Sequence, residues 1–141
     1  MKTRSVVLLL VVLAGALLLL AIVIPDFNAS DRHPAWELVA IRNILVIQSA
    51  QDHYKSQYGK YAAALTELGP PANDLISKSL ASGEKNGYTL TLAATPKGYI
   101  LNARPKVYNV TGRRSFYSDQ ARHIHQTWSQ EPANASSPEL K

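Results

Sequence analysis

An α+β domain is what this chain predicts: a long amino-terminal helix whose first half spans a membrane, packed on an antiparallel sheet of three to four strands (3-4 strands). Three observations lead there. An apolar run from Val6 to Ile24 contains no charge, hydrophobic residues recur at helical spacing from Pro34 to Tyr58, and from Tyr88 the period drops to two.

A chain of 141 residues has room for one domain beside the apolar segment. The absence of cysteine excludes disulfides, a thiolate metal site, a lipobox anchor and a cysteine nucleophile. Lys2 and Arg4 supply two of the net +5 charge, and the rest gathers between Arg104 and Arg122, where Asp119 is the lone acid.

At a rise of about 1.5 Å per residue, the run Val6–Ile24 reaches roughly 28 Å, the thickness of a hydrocarbon core. It is longer than a secretory core, and Leu17 to Leu20 bury the small triplet Ala14-Gly15-Ala16, so a retained anchor is expected. Lys2 and Arg4 keep the amino terminus cytoplasmic and place the remainder outside a bacterial inner membrane, periplasmic or extracellular, as a single-pass protein. The expected divisions are 1–25 for the cytoplasmic tip and span, 26–130 for the folded domain, and 131–141 for a flexible polar tail.

Pro25 ends or bends the first helix, and Asp31 with Pro34 starts the next. Trp36, Ala40, Ile44, Ile47, Tyr54 and Tyr58 form one stripe, interrupted by Gln51. Leu38, Val39, Ile41, Leu45 and Val46 make the first half apolar almost all round, so its second side is either core or a surface for lipid or a partner. Gly59 breaks the helix, Gly69-Pro70-Pro71 punctuates a loop, and Asn73 is placed as the cap of a short helix that Gly83 ends. Tyr88, Leu90 and Leu92 alternate with threonines, and Thr95-Pro96-Lys97-Gly98 turns the chain into a strand over Tyr99–Ala103. Arg114–Tyr117 and His123–Trp128 read as two further strands around "SDQAR".

No constellation here asks for a cofactor. His123 and His125 share a strand face but lack further ligands, and Asp119 alone does not make a calcium loop. Ser115, Ser118, Asp119 and His123 are close in sequence, yet no nucleophile elbow surrounds either serine, so no catalytic residue is expected. Arg104, Lys106, Arg113, Arg114 and Arg122, interleaved with Phe116, Tyr117 and Trp128, outline an anion-binding patch for DNA or another anionic polymer.

Four stretches carry a resemblance to a known family. "AIVIPDF" looks like the end of a pilin stem, "HYKSQYGKYAAALTELG" like a helix exit, "LISKSLASGEKNGYTLTL" like a short helix entering the first strand, and "VTGRRSFYSDQARHI" like a final hairpin. In that order the chain resembles type IV pilins and the pseudopilins of type II secretion. With Pro25 aligned to the family's stem proline, Thr3, Arg4 and Leu8 stand where the family has its processing glycine, phenylalanine and glutamate. The resemblance implies a non-enzymatic structural or accessory subunit. Its partners would be the lipid bilayer, further copies of itself or other pilin-like subunits, and inner-membrane assembly proteins. Its assembly face would include Leu8, Pro25, Leu38, Ile41 and Leu45. A binding module that presents the basic hairpin to nucleic acid or another polyanion is the alternative.

Overall fold

The structure, a computed structural model, describes residues 32–141. Helix α1 runs over Arg32–Tyr58, the short helices α2 and α3 over Leu65–Leu68 and Lys78–Ala81, and five strands follow: β1 (Glu84–Lys85), β2 (Tyr88–Thr95), β3 (Gly98–Pro105), β4 (Ser115–Asp119) and β5 (Ile124–Thr127). All neighbouring strands are antiparallel, in the order β1-β2-β3-β4-β5.

Between Pro34 and Tyr58 there is no glycine, proline or other breaker, so α1 runs unbroken until Gly59. That residue takes φ 71 and donates its N–H to the Lys55 carbonyl at 2.8 Å, closing the last turn as a left-handed cap. Ala40, Ile44, Ile47, Ala50 and Tyr54 face the sheet and meet Tyr88 and Leu90 of β2, Leu101 and Ala103 of β3, and Phe116 of β4 in one core. Truncating a buried aromatic such as Phe116 to alanine costs about 3–5 kcal/mol.

Gln51, which interrupts the apolar stripe, is fully buried. Its carboxamide accepts from Ala62 N–H at 2.8 Å and donates to the Ala62 carbonyl at 3.0 Å, fastening the chain beyond α1 to the helix. Asn73 does not cap a helix: its amide donates to the Glu67 carbonyl and its Oδ1 accepts from Tyr58. Ser77 caps α3 instead, accepting from Leu80 N–H.

The expected sheet of three or four strands is corrected to five. The additional strand is β1, too short and too polar to show alternation. Asn86-Gly87, with φ 50 and 75, makes the two-residue turn that pairs Lys85 with Tyr88, and this dipeptide is a strong local hairpin signal. A side chain at Gly87 would also run into Trp36 and Thr111, so the glycine lets the 107–112 loop close over α1.

The membrane-spanning half of the fold and the single-pass inner-membrane placement are likewise corrected. Among the described residues no helix is long and apolar enough to cross a membrane, since α1 carries Glu37, Arg42, Asp52 and Lys55 among its turns. The segment assigned to the span, Val6–Ile24, lies outside the described residues, as do Leu8 and Pro25 of the expected assembly face and the cap at Asp31.

The tail read as flexible is tied down. Gln126 N–H donates to Pro138 at 2.9 Å and Leu140 N–H to Ile124 at 2.7 Å, which covers the free edge of β5. Ser115 donates its hydroxyl to the Glu131 carbonyl and accepts Ala133 N–H, seating a buried Ala133 over β4. Composition predicts a loose segment here; hydrogen bonds to a strand edge that would otherwise stand bare hold it.

Candidate functional site

A polar seam joins α1 to the sheet. Glu37 Oε2 accepts from Arg114 Nε at 2.7 Å, and its Oε1 accepts the backbone N–H groups of Arg113 and Arg114 at 2.9 and 3.2 Å. Arg114 also donates to Gln126, and its guanidinium lies over the rings of Phe116 and Trp128. Further along α1, Gln48 donates to Ser118 Oγ at 2.7 Å, and Ser118 donates to the His123 carbonyl. Burial pushes the phenols of Tyr88 and Tyr99 well above their usual range, so both stay protonated; Tyr88 donates to the Arg114 carbonyl.

This seam dissolves most of the expected basic patch. Arg114 is spent on Glu37, Arg122 on Asp52 at 2.6 Å and Lys106 on Glu84 at 2.7 Å. Arg104 and Arg113 take part in no ion pair among the described residues, and both are exposed. The aromatics are occupied as well: Phe116 is core, and Tyr117 is covered and bonded to Asp119.

Two of the five cations, Arg104 and the Glu84-paired Lys106, do come together, on the sheet face turned away from α1. Thr89 stands opposite Arg104 and Thr91 opposite Asn102 across the β2–β3 ladder. With Lys106, and with Pro132 of the tail as one wall, they line an open groove of about 530 Å³ that contains no acidic residue.

The other face to consider is on α1. Leu38 is 63% exposed, Leu45 48% and Val46 41%, whereas Ile41 packs partly against the core. On the same side of the helix Ser49, Asp52, His53 and Ser56 follow, all exposed, so the outer face is apolar in its first turns and polar in its last. Val46 belongs to this flank beside the Leu38 and Leu45 that the sequence singles out; its seven-residue offset from Val39 is the signal that places the two on one row. Val107, Val110 and Trp128 are further exposed apolar side chains in the loops around β4 and β5.

Among the described residues no group of three or more His, Cys, Asp or Glu is placed to hold a metal. His125 Nδ1 lies 2.7 Å from the Ser137 carbonyl and His123 Nδ1 2.6 Å from Glu139 Oε1, so both imidazoles serve the tail. The contact with Glu139 raises the His123 pKa, and the same contact lowers that of Glu139. Ser115 and Ser118 are buried in structural bonds, and neither hydroxyl meets an imidazole nitrogen among the described contacts. Compared with known proteins, the chain matches no family model, no curated protein and no solved structure.

Proposed function

We propose that this chain is a non-enzymatic, pilin-like structural or accessory subunit of a type IV pilus or type II secretion-like assembly. Its working surface is the apolar flank Leu38, Leu45 and Val46 of α1. The observation that carries the reading is the division of the helix's outer face. On this face the exposed apolar side chains Leu38, Leu45 and Val46 lie in the first half of the helix, where a neighbouring helix of a second copy can cover them, and Ser49, Asp52, His53 and Ser56 follow in the second half; Tyr58, also exposed, stands on the other side and bonds to Asn73. The order of long helix, short helices and antiparallel sheet agrees with the resemblance in the sequence.

These 141 residues include no cysteine, so single cysteines report neighbours without background. Leu45→Cys is expected to form a disulfide-linked dimer under mild oxidation, and Ser56→Cys on the polar half is expected to stay monomeric. A strictly monomeric Leu45→Cys chain, with no crosslinking in cell extracts, removes the reading.

A second reading has its own observation, the groove on the outer sheet face, where Arg104 stands without an ion pair among the described residues and Lys106 is paired with Glu84 at the rim. It makes the domain a binding module for an anionic polymer. Salt-dependent binding that Arg104→Gln weakens and Arg113→Gln leaves alone separates it from a diffuse charge effect.

A further inference from the structure

The turn between β1 and β2 carries a reactive pair. Asn86 is the one asparagine among the 141 residues that a glycine follows, and it stands exposed at the hairpin tip with φ 50. The side chains of Asn73 and Asn134 are held by hydrogen bonds, but no such bond holds Asn86 among the described contacts. The Gly87 N–H donates to no carbonyl there either, while its own carbonyl accepts from Lys106 N–H at 2.8 Å. Lacking a Cβ, Gly87 leaves its nitrogen open to the side chain before it.

In the closed turn Asn86 is held in the left-handed region, so its Cγ meets the Gly87 nitrogen only once the tip has opened. β1 has two residues and lies at the edge of the sheet, so this opening is local. The chemistry then needs only water. The Gly87 nitrogen gives up its proton and attacks Asn86 Cγ; the N–Cγ bond forms, the Cγ–Nδ2 bond breaks, and the amide nitrogen leaves as ammonia. Water opens the resulting cyclic imide in one of two ways. Attack at Cγ restores the main chain and leaves aspartate. Attack at the main-chain carbonyl carbon leaves isoaspartate, with the chain running through Cγ.

We propose that Asn86 is a site of enzyme-independent deamidation, and that its isoaspartate product unlatches the β1–β2 turn from the 107–112 loop. Either product removes one from the formal net charge of +5, but the two differ in fit. Asp-Gly suits the same tight turn as Asn-Gly, so the aspartate form keeps the hairpin. Isoaspartate adds a carbon to the main chain just before Gly87, where there is no slack. A carbon placed on the Gly87 Cα already meets Thr111 at 2.8 Å and Trp36 at 3.1 Å. Gly87 is displaced, the bond from Lys106 N–H is lost, and β1 comes away from the edge of β2. This site goes beyond the assembly reading and does not depend on it.

The test ages the chain of 141 residues in mildly alkaline buffer and locates the products by mass spectrometry with fragmentation that separates aspartate from isoaspartate. Asn109 is the internal comparison, because it too is exposed with a positive φ, of 63, but is followed by Val110. Asn86 is expected to deamidate at least about tenfold faster than Asn109, and faster again as pH rises. In the purified isoaspartate form, Lys106 N–H is expected to exchange at least about tenfold faster than in the parent, while Asn86→Asp leaves it protected. No modification at Asn86, or an equal rate at Asn109, overturns the site. An isoaspartate form with Lys106 N–H as protected as in the parent overturns the unlatching, and so does an Asn86→Asp chain that loses the same protection.

Discussion

Glu37 and Arg114, separated by 77 positions in the chain, meet at 2.7 Å with side chains 5% and 16% exposed. This pair joins the first turns of α1 to the start of β4, and the same carboxylate holds the two backbone N–H groups that lead into that strand. A charge this deep is tolerable because every strong contact near it is made to the opposite charge or to an N–H dipole.

Removing one partner leaves the other buried and uncompensated. Glu37→Ala is expected to lower unfolding stability by about 3–5 kcal/mol. The double change Glu37→Met with Arg114→Met is expected to cost less than Glu37→Ala alone, because no charge is stranded. Urea denaturation of the three variants reads the difference.

Gln51 makes a simpler case. Gln51→Ala leaves both the backbone N–H and the carbonyl of buried Ala62 without their partner, and a loss of about 2–4 kcal/mol is expected. Amide exchange at Ala62 should quicken before the rest of α1 is affected.

Docking of the tail depends on pH through His123 and Glu139, both largely exposed. His123 is raised above its ordinary 6.5, so its contribution is complete below that value and fades as pH rises through the higher folded pKa. Glu139 is lowered from its ordinary 4.5, so its contribution is complete above that value and fades as pH falls through the lower folded pKa. Asp119 reinforces the raised His123, while His125 and Lys141 help hold Glu139 down. Protection of Leu140 N–H against exchange, corrected for intrinsic rate, is expected to peak between pH 4.5 and 6.5 and to decline on both sides. His123→Gln should flatten the alkaline side.

The apolar flank predicts a separation of stability from association. Leu38→Glu and Leu45→Glu alter exposed positions, so each should change stability by less than about 0.5 kcal/mol. If the flank is the assembly surface, either substitution abolishes the Leu45→Cys type of crosslink when combined with a reporter at Val46. A chain that still assembles identically places the contact elsewhere.

Much of the architecture is local in origin, and that part can be read along the chain. The helical spacing from Ala40 to Tyr54, the stop at Gly59 and the alternation from Tyr88 to Leu92 depend on side chains a few positions apart. β1 was within reach of the same reasoning, because Asn86-Gly87 announces a hairpin even where a two-residue strand shows no period. Asn73 misleads for the opposite reason: a good capping residue stands at a good place, but Tyr58 and Glu67 from outside the segment take its side chain.

Charge is where local reading ends. Five cations between Arg104 and Arg122 look like one surface when counted along the chain. Arg114 and Arg122 find their acids on α1, 77 and 70 positions away, and Lys106 finds Glu84 across the sheet. The periodicity of the residues thus settles which elements form and roughly where they stop, since backbone geometry acts over one or two turns. Which charges remain available, which polar side chains are buried, and which apolar ones are left over on α1 depend on the folded arrangement. Ion pairing and burial act between surfaces that the fold alone brings within a few ångströms.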